Sequence, residues 1–310
     1  MRTKLLLPVL GAALLVMTAC DFEDMGGSWE RYHKDFQYSY PLKTGGRLAV
    51  ETFNGSVEVS PWDQQTVDIS GTKYAPSQDE ADNLKIDIDH SSDSVSIRVV
   101  RPSMRYGNWG ARFVIHVPRK TLVDRITTSN GSVRVTDGVG PARLKSSNGS
   151  MHLTGFRGDL DAQTSNSAIE LLDVDGEVHL HTSNGHIKVD GLSGSLDATT
   201  SNSSIHAVLD RTNGPVHVES SNGSIDLILP TGAVPVRANT SNSSITLHVP
   251  GSVNARLLAR TSNGSITSDF DLRVQGEISK HHIDGQIGSG GGPLFDLSTS
   301  NGSIKLMKTM

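Results

Sequence analysis

The sequence predicts an all-β fold, a β-solenoid (β-helix) of roughly 18–21-residue coils with a less regular N-terminal β-region. The main observation is a tripeptide, Thr/Ser-Ser-Asn, whose nine asparagines are Asn130, Asn148, Asn166, Asn184, Asn202, Asn222, Asn242, Asn263 and Asn301. Successive asparagines are 18, 18, 18, 18, 20, 20, 21 and 38 residues apart. Repetition at so short a period is typical of stacked units that are too small to fold alone.

A second observation is that apolar and polar residues alternate on both sides of each asparagine. The third and fifth residues after it are apolar in almost every copy, and the residue between them is polar. The fourth and sixth residues before it are apolar as well in most copies. A period of two is typical of a strand with one buried face. Each repeat therefore predicts a strand, a corner, a strand and a second corner, closed into either two or three sheets.

Two arrangements of these strands fit the pattern. Asn-Gly is a strong hairpin signal and would give an antiparallel meander, whereas a solenoid stacks equivalent residues about 4.8 Å apart. The solenoid is favoured because like residues recur in columns, and because Ser167, Ser203 and Ser243 replace the glycine while the asparagine persists. We expect left-handed backbone at the asparagines and a structural ladder of hydrogen-bonded amides along the corner.

Residues 1–19 predict a lipoprotein signal peptide. Arg2 and Lys4 precede an apolar run that is too short for a permanent membrane span. Small residues then precede Cys20, as in a bacterial lipobox, with Met17 where leucine is more usual. Cys20 is the only cysteine, so the mature chain forms no internal disulfide. We expect Cys20 to carry a lipid that anchors the chain to a membrane.

The charge balance argues against a nucleic-acid partner. Cleavage after residue 19 would remove Arg2 and Lys4 and no acidic residue, which changes the formal net charge from −5 to −7. The sequence contains no cluster of basic residues that would follow a phosphate backbone. Export with a lipid anchor predicts a location in the bacterial cell envelope, on the periplasmic face or at the cell surface.

Residues 20–44 predict a tether, and residues 45–126 predict degenerate β-coils or hairpins that cap the array. The pattern around Asn54 matches the later repeats. Asn54 and Asn130 are 76 residues apart, which would allow about four less regular coils between them. The N-terminal region would thus cover one open end of the solenoid, as exposed sheet edges require.

Residues 127–310 predict the regular solenoid repeats. The last interval of 38 residues would hold one degenerate corner at Asp284-Gly285. Lys305 and Lys308 lie near the C-terminus and are typical of a strand edge protected from pairing with other chains. We therefore expect them to protect the second end.

An irregular stretch of residues 102–111 predicts a loop that carries Met104, Tyr106 and Trp109. Exposed aromatic residues on a loop are typical of binding sites. The other interpretation is that they pack on the end of the solenoid, and this is the one that we favour.

The repeats follow the pattern Thr-Ser-Asn-Gly-Ser-Ile-x-Leu, after an export signal and an entry segment, Ile115-His116-Val117-Pro118-Arg119-Lys120-Thr121-Leu122. In these features residues 45–306 resemble the bacterial putative-adhesin family of envelope proteins, a domain of unknown function. The resemblance implies a β-solenoid envelope lipoprotein and carries over no catalytic residues. A fold by itself does not determine function.

No residue pattern predicts a catalytic site, a cofactor or a metal. His179 and His186 flank one corner, but the repeat places most histidines in outward polar columns rather than in the convergent set that zinc needs. The glycine-rich run 288–292 lacks the aspartate of calcium-binding β-rolls. Asp161 and Asp197 share a column about 10 Å apart, which leaves a carboxylate pair for glycan cleavage as a minor hypothesis.

The sequence therefore predicts a non-enzymatic cell-envelope lipoprotein that acts as an adhesin or a surface-presenting repeat scaffold. Its partner would be a glycan, a surface or another envelope protein. Two alternatives are an envelope-stress or signalling accessory that binds a membrane partner, and a polysaccharide-active solenoid enzyme.

Overall fold

The computed structural model of this chain describes residues 32–103, 107–230, 234–274, 279–289 and 291–309. The predicted signal peptide, Cys20 and the first part of the tether lie outside these ranges, as do Met104 and Tyr106. Within the described ranges, no helix has both the length and the apolar character that crossing a membrane requires.

The described part of the chain forms twenty-five strands and one short helix, α1 (Gln78–Asn83). The strands are β1 (Tyr32–Pro41), β2 (Arg47–Glu51), β3 (Val57–Trp62), β4 (Thr66–Ala75), β5 (Ile86–His90), β6 (Ser94–Val99), β7 (Gly110–Pro118), β8 (Leu122–Thr127), β9 (Val133–Thr136), β10 (Ala142–Lys145), β11 (Met151–Thr154), β12 (Leu160–Gln163), β13 (Ile169–His181), β14 (Ile187–Thr200), β15 (Ile205–Val208), β16 (Arg211–Ser220), β17 (Ile225–Ile228), β18 (Val236–Thr240), β19 (Ile245–Val249), β20 (Ala255–Thr261), β21 (Ile266–Ser268), β22 (Leu272–Val274), β23 (His282–Ile287), β24 (Leu294–Thr299) and β25 (Ile304–Lys308).

The strands stack into two mainly parallel layers, and this confirms the predicted β-solenoid. Strands that precede a corner form sheet A, in the order β5-β6-β2-β8-β10-β12-β13-β14-β16-β18-β24-β20-β23-β22. Strands that follow a corner form sheet B, in the order β1-β4-β7-β3-β9-β11-β13-β14-β15-β17-β19-β25-β21. The long strands β13 and β14 turn the second corner and contribute to both sheets.

The core lies between the two sheets and consists of the predicted apolar columns. Ile169, Ile187 and Ile205 are paired one above another in successive coils, and each is at most 1% exposed. Full burial of such a side chain stabilises the fold by about 1.5–3 kcal/mol. The second corner adds a further buried column, with Phe156 and Leu192 each 0% exposed.

At the N-terminal end the spatial order of the coils differs from the chain order. The coil of β2 and β3 lies directly on the coil of β8 and β9. No coil intervenes between Asn54 and Asn130, so the expectation of about four is wrong. The intervening strands fold back on the other side: β6 and β7 form the next layer, and β5 and β4 close it by antiparallel pairing.

At the C-terminal end the last coil in sequence is inserted inside the stack. Strand β24 pairs with both β18 and β20, and β25 pairs with both β19 and β21. The degenerate corner predicted at Asp284-Gly285 is wrong, because these residues lie within β23, which runs antiparallel to β20 and β22. Lys305 and Lys308 both belong to strand β25 of the inserted coil, so the prediction that they protect the end is wrong. Lys308 lies over the ring of Phe270 at 5.3 Å.

Part of the predicted tether is a strand. Residues 32–41 form β1, which pairs antiparallel with β4 along its whole length. Alternate residues Phe36, Tyr38 and Tyr40 are half-buried against the core, and the ring of Phe36 meets that of Phe113 edge-on at 5.4 Å. An alternating aromatic strand covers the apolar end of the stack, which a polar tether could not do.

The inserted coil gives a prediction about amide exchange. Strand β25 is flanked on both sides, whereas in the described part of the chain β21 forms a ladder with β25 alone and has one further backbone hydrogen bond, from Ile266 N to Lys280 O at 3.1 Å. We expect amides of β25 to exchange as slowly as those of β19, and amides of β21 to exchange at least about tenfold faster, because end strands open locally. Native-state hydrogen exchange measures this. Faster exchange in β25 than in β21, as expected for a frayed C-terminus, would contradict the observed order.

Candidate binding surface

The corner asparagines form one continuous line of side-chain amides, here called the corner ladder. In spatial order its members are Asn54, Asn130, Asn148, Asn166, Asn184, Asn202, Asn222, Asn242, Asn301 and Asn263. Each Nδ2 donates to the Oδ1 of the preceding member, except that Asn54 donates to the carbonyl oxygen of Trp109 at 2.8 Å. All nine asparagines of the sequence prediction take part, and Asn54 is a tenth.

The backbone at this corner differs from the expectation. Among described non-glycine residues, positive φ occurs at Lys120, Asp137 and Asp173, so the prediction of left-handed asparagines is wrong. Glycine recurs after the asparagine for a different reason. A Cβ on Gly149 would overlap the carbonyl oxygen of Gly131 in the coil below, so close stacking of these two corners favours glycine at residue 149. Serine occupies the equivalent position at residues 167, 203 and 243.

A column of buried hydroxyl groups supports the ladder from inside. Thr182 is 0% exposed; its Oγ1 accepts a hydrogen bond from Gly185 N at 3.2 Å and donates one to Ser167 O at 3.1 Å. The equivalent threonine or serine is buried in the other coils too. The polar groups of the corner therefore bind one another, and we assign the corner a structural role.

Trp109 closes the N-terminal end of the ladder, in line with the favoured interpretation of the loop. Its side chain is 6% exposed and borders a cavity of about 170 Å³ with Asp79, Glu80, Leu84 and Pro102. Its Nε1 is buried without a hydrogen-bond partner in the described part of the chain. The burial of the indole ring leaves little aromatic surface for a ligand.

The outward face of sheet B, here called face B, carries an ordered line of charges. Its central column, the charge column, consists of Arg134, His152, Glu170, Lys188, His206 and Asp226 on six adjacent coils. Each cation is thus followed by a histidine and then by an anion, twice over. His152 Nδ1 lies 3.1 Å from Glu170 Oε2, and His206 Nδ1 lies 3.0 Å from Asp226 Oδ2.

A second histidine contacts Glu170 from another coil. His186 Nε2 lies 3.2 Å from Glu170 Oε1, so the two histidines contact opposite oxygens of this carboxylate. Burial by itself would raise the pKa of Glu170, but the hydrogen bond from His186 and the charge of His152 together hold the pKa below its ordinary value of 4.5. These contacts stabilise the ionised carboxylate.

The outward face of sheet A repeats this arrangement around Asp197. His179 Nδ1 and His217 Nδ1 lie 3.8 and 3.7 Å from its two oxygens. His179 separates Asp197 from Asp161 in the column, and Asp161 accepts a hydrogen bond from Gln163 at 3.0 Å. In the described ranges, no group of three or more histidine, cysteine or acidic side chains is arranged to hold a metal ion.

Sequence reasoning missed an aliphatic column on face B. The sixth residue after the corner asparagine points outward, and from the coil of Glu170 onward this position holds Leu172, Asp190, Val208, Ile228, His248 and Met307 in register. Four of these six residues are aliphatic, and Asp190 and His248 interrupt them. Leu172 is 50% exposed and Met307 is 36% exposed. The signal is present in the sequence, because the sixth residue after the asparagine is aliphatic in four of the repeats although its place in the strand is outward.

The ladder predicts a stability difference between an internal and a terminal asparagine. Asn184→Ala removes two ladder hydrogen bonds and leaves neighbouring amides unpaired, so we expect a loss of about 1–3 kcal/mol in the free energy of unfolding. Asn263→Ala removes one bond at the end and should cost less than half as much. Urea denaturation followed by circular dichroism compares the variants, and equal losses would contradict a continuous ladder.

The lowered pKa of Glu170 predicts a pH dependence of stability. The contribution of this carboxylate is present above its ordinary pKa of 4.5 and is lost as the pH falls through the lower folded value. The stability advantage over Glu170→Gln should therefore shrink between about pH 5 and about pH 3. It should stay below about 1 kcal/mol, because the side chain is 40% exposed. Denaturant titrations at both pH values test this, with Glu219→Gln as a control on sheet A; a difference independent of pH would contradict it.

Two solved structures resemble the chain at low sequence identity. One is a putative cell adhesion protein from Clostridium sporogenes, with 9% identity, a TM-score of 0.22, and coverage of 89% of this chain and 100% of that chain. The other is a putative adhesin from Bacteroides fragilis, with 14% identity, a TM-score of 0.33, and coverage of 88% and 97%. None of the curated proteins matches the sequence.

The comparison with family models covers more than half of the chain. The model described as Toastrack DUF4097 matches residues 46–257. This range begins just before β2 and ends within β20, so it includes most of the corner ladder and the whole charge column. The chain belongs to the Toastrack DUF4097 family.

Proposed function

We propose that this chain is a non-enzymatic lipoprotein of the bacterial cell envelope that works as an adhesin, with face B as its binding surface. The observation that carries the proposal is that different columns of residues have different roles in the stack. The corner and core columns hold the coils together, while the charge column and the aliphatic column of face B are presented outward.

The shape of face B supports a large partner. Successive coils lie about 4.8 Å apart, so the charge column extends over about 24 Å from Arg134 to Asp226. The charge column and the aliphatic column lie side by side on this face. The strands that carry them, such as β15, pair in parallel with a neighbour on each side. The depression beside Glu170 and Lys188 on this face, about 250 Å³, is smaller than the roughly 300–1,000 Å³ of typical small-molecule pockets. The broad surface therefore suits another macromolecular surface better than a small molecule.

The sequence upstream of β1 supports an anchor. Eleven residues separate Cys20 from Tyr32, where β1 begins, and they would reach at most about 40 Å when extended. In this proposal a lipid on Cys20 holds the N-terminal cap near the membrane. The successive coils then carry face B away from it.

Lipidation is tested directly by metabolic labelling. Cells that express the full chain are grown with a radiolabelled fatty acid, and we expect the label on the wild-type protein and not on Cys20→Ser. The variant should also leave the membrane fraction. An unlabelled wild-type chain would refute the anchor.

Attachment assays test face B. A deletion strain is complemented with wild type, with a double variant on face B (Arg134→Ala and Lys188→Ala) or with a matched pair on sheet A (Arg125→Ala and Arg143→Ala). We expect the face-B variant to lose at least about half of the attachment that wild type restores, since interface energy concentrates in few residues. The sheet-A pair should retain it. Equal attachment of wild type and the deletion strain would refute adhesion.

A further inference from the structure

We propose that face B binds a second copy of this chain, with the two solenoid axes antiparallel. The basis is the order of the charge column, which register pairs establish coil by coil. The column reads cation, histidine, anion, cation, histidine, anion. Read from the other end, the column runs anion, histidine, cation, anion, histidine, cation. Two copies in opposite directions therefore place each cation opposite an anion and each histidine opposite a histidine.

A two-fold axis parallel to the strands generates the complementary contact. The axis passes between the coil of Glu170 and the coil of Lys188, which are adjacent in register. It sets Glu170 opposite Lys188 of the partner subunit and Arg134 opposite Asp226 of the partner subunit. Each of these pairs occurs twice, so the dimer contains four contacts between opposite charges, with histidines facing each other between them.

Other arrangements of the same two faces fit less well. With parallel axes, coil would face identical coil and every charge would meet its own kind, which costs binding energy. A register displaced by three coils would pair Glu58 with Lys188 of the partner subunit and Arg134 with Glu170 of the partner subunit. It would also bring the antiparallel N-terminal strands β4 and β7 against regular parallel coils of different geometry.

The flanking columns permit a close approach of the two faces. On one side of the charge column most residues are serines, including Ser132, Ser150, Ser204 and Ser224. On the other side, Leu172 and the half-buried Val208 and Ile228 would lose water contact on association. The exposed Asp190 lies between Leu172 and Val208 in this column and would face Leu172 of the partner subunit. The interface thus combines charge complementarity with apolar burial, as stable protein contacts do.

The antiparallel geometry has a consequence for cell contact. It places the two N-terminal caps, and the segments that precede Tyr32, at opposite ends of the dimer. If the chain is an anchored adhesin, which is the proposed function on which this step rests, the two copies belong to opposing surfaces. The partner recognised in adhesion is then the same protein on a neighbouring cell.

Charge reversal provides the test, with the full chain purified in detergent and studied by sedimentation velocity. We expect a dimer that weakens with salt, and that weakens at least about tenfold in Lys188→Glu and in Glu170→Lys, because each places like charges at two symmetric contacts. The double variant Glu170→Lys/Lys188→Glu should recover the wild-type dissociation constant. Arg125→Glu, on sheet A, should leave it unchanged.

Mixing the two single variants distinguishes an effect of the substitutions on the interface from an effect on folding. Each variant alone carries two like charges at residues 170 and 188, whereas the mixture offers opposite charges across the contact. We expect a heterodimer of wild-type affinity. A monomeric wild type, failure of the double variant to recover, or failure of the mixture to dimerise would each overturn the proposal.

An aggregation assay with cells tests whether the dimer contact acts between cells. Cells that display Lys188→Glu and cells that display Glu170→Lys should aggregate when mixed and not separately. Heterodimers in solution without aggregation of mixed cells would uphold the homotypic contact and refute its function between cells.

Discussion

The structure depends on one repeated contact, the stacking of each corner on the corner of the coil below. Three features meet there: the amide ladder, the buried hydroxyl group and the close approach of the residue that follows the asparagine to the backbone of the coil below. Because all three have the spacing of one strand, they hold successive coils in a single register. A shift of one residue would move every inward side chain outward, so the corner contact also maintains the core.

Because successive coils are in strict register, the outward side chains of the stack are arranged in columns of equivalent residues. A side chain has as neighbours the equivalent residues above and below, and the charged residues of face B therefore meet in a fixed order. Glu170 lies between histidines of two other coils, and Asp197 does so on sheet A. The contacts of Glu170 favour its ionised form. The surface that results is extended and periodic, which suits recognition of another extended surface.

The ends of the stack follow different rules from the middle. A parallel coil always leaves an unpaired edge, and repetition of the same coil cannot close it. The chain closes both ends with antiparallel strands: β4, β5 and β1 at one end, and β22 with β23 at the other. Among the described strands, β20 and β21 do not pair directly with the preceding coil of β18 and β19. The last coil of the chain, β24 and β25, lies between these two coils and pairs with both.

The sequence by itself determined the regular part of this protein: the solenoid, its apolar columns and the corner ladder from Asn130 to Asn242. Identical neighbours at a fixed spacing make each contact a local consequence of the repeat. The tertiary structure decided the position of Asn54 beside Asn130, the insertion of the last coil before Asn263 and the conversion of residues 32–41 into a strand. These features depend on contacts between residues that are 25 to 76 positions apart, and strand periodicity alone does not specify which edge a strand joins. The charge order of face B was present in the sequence, but its meaning required the register that places those six residues in one line.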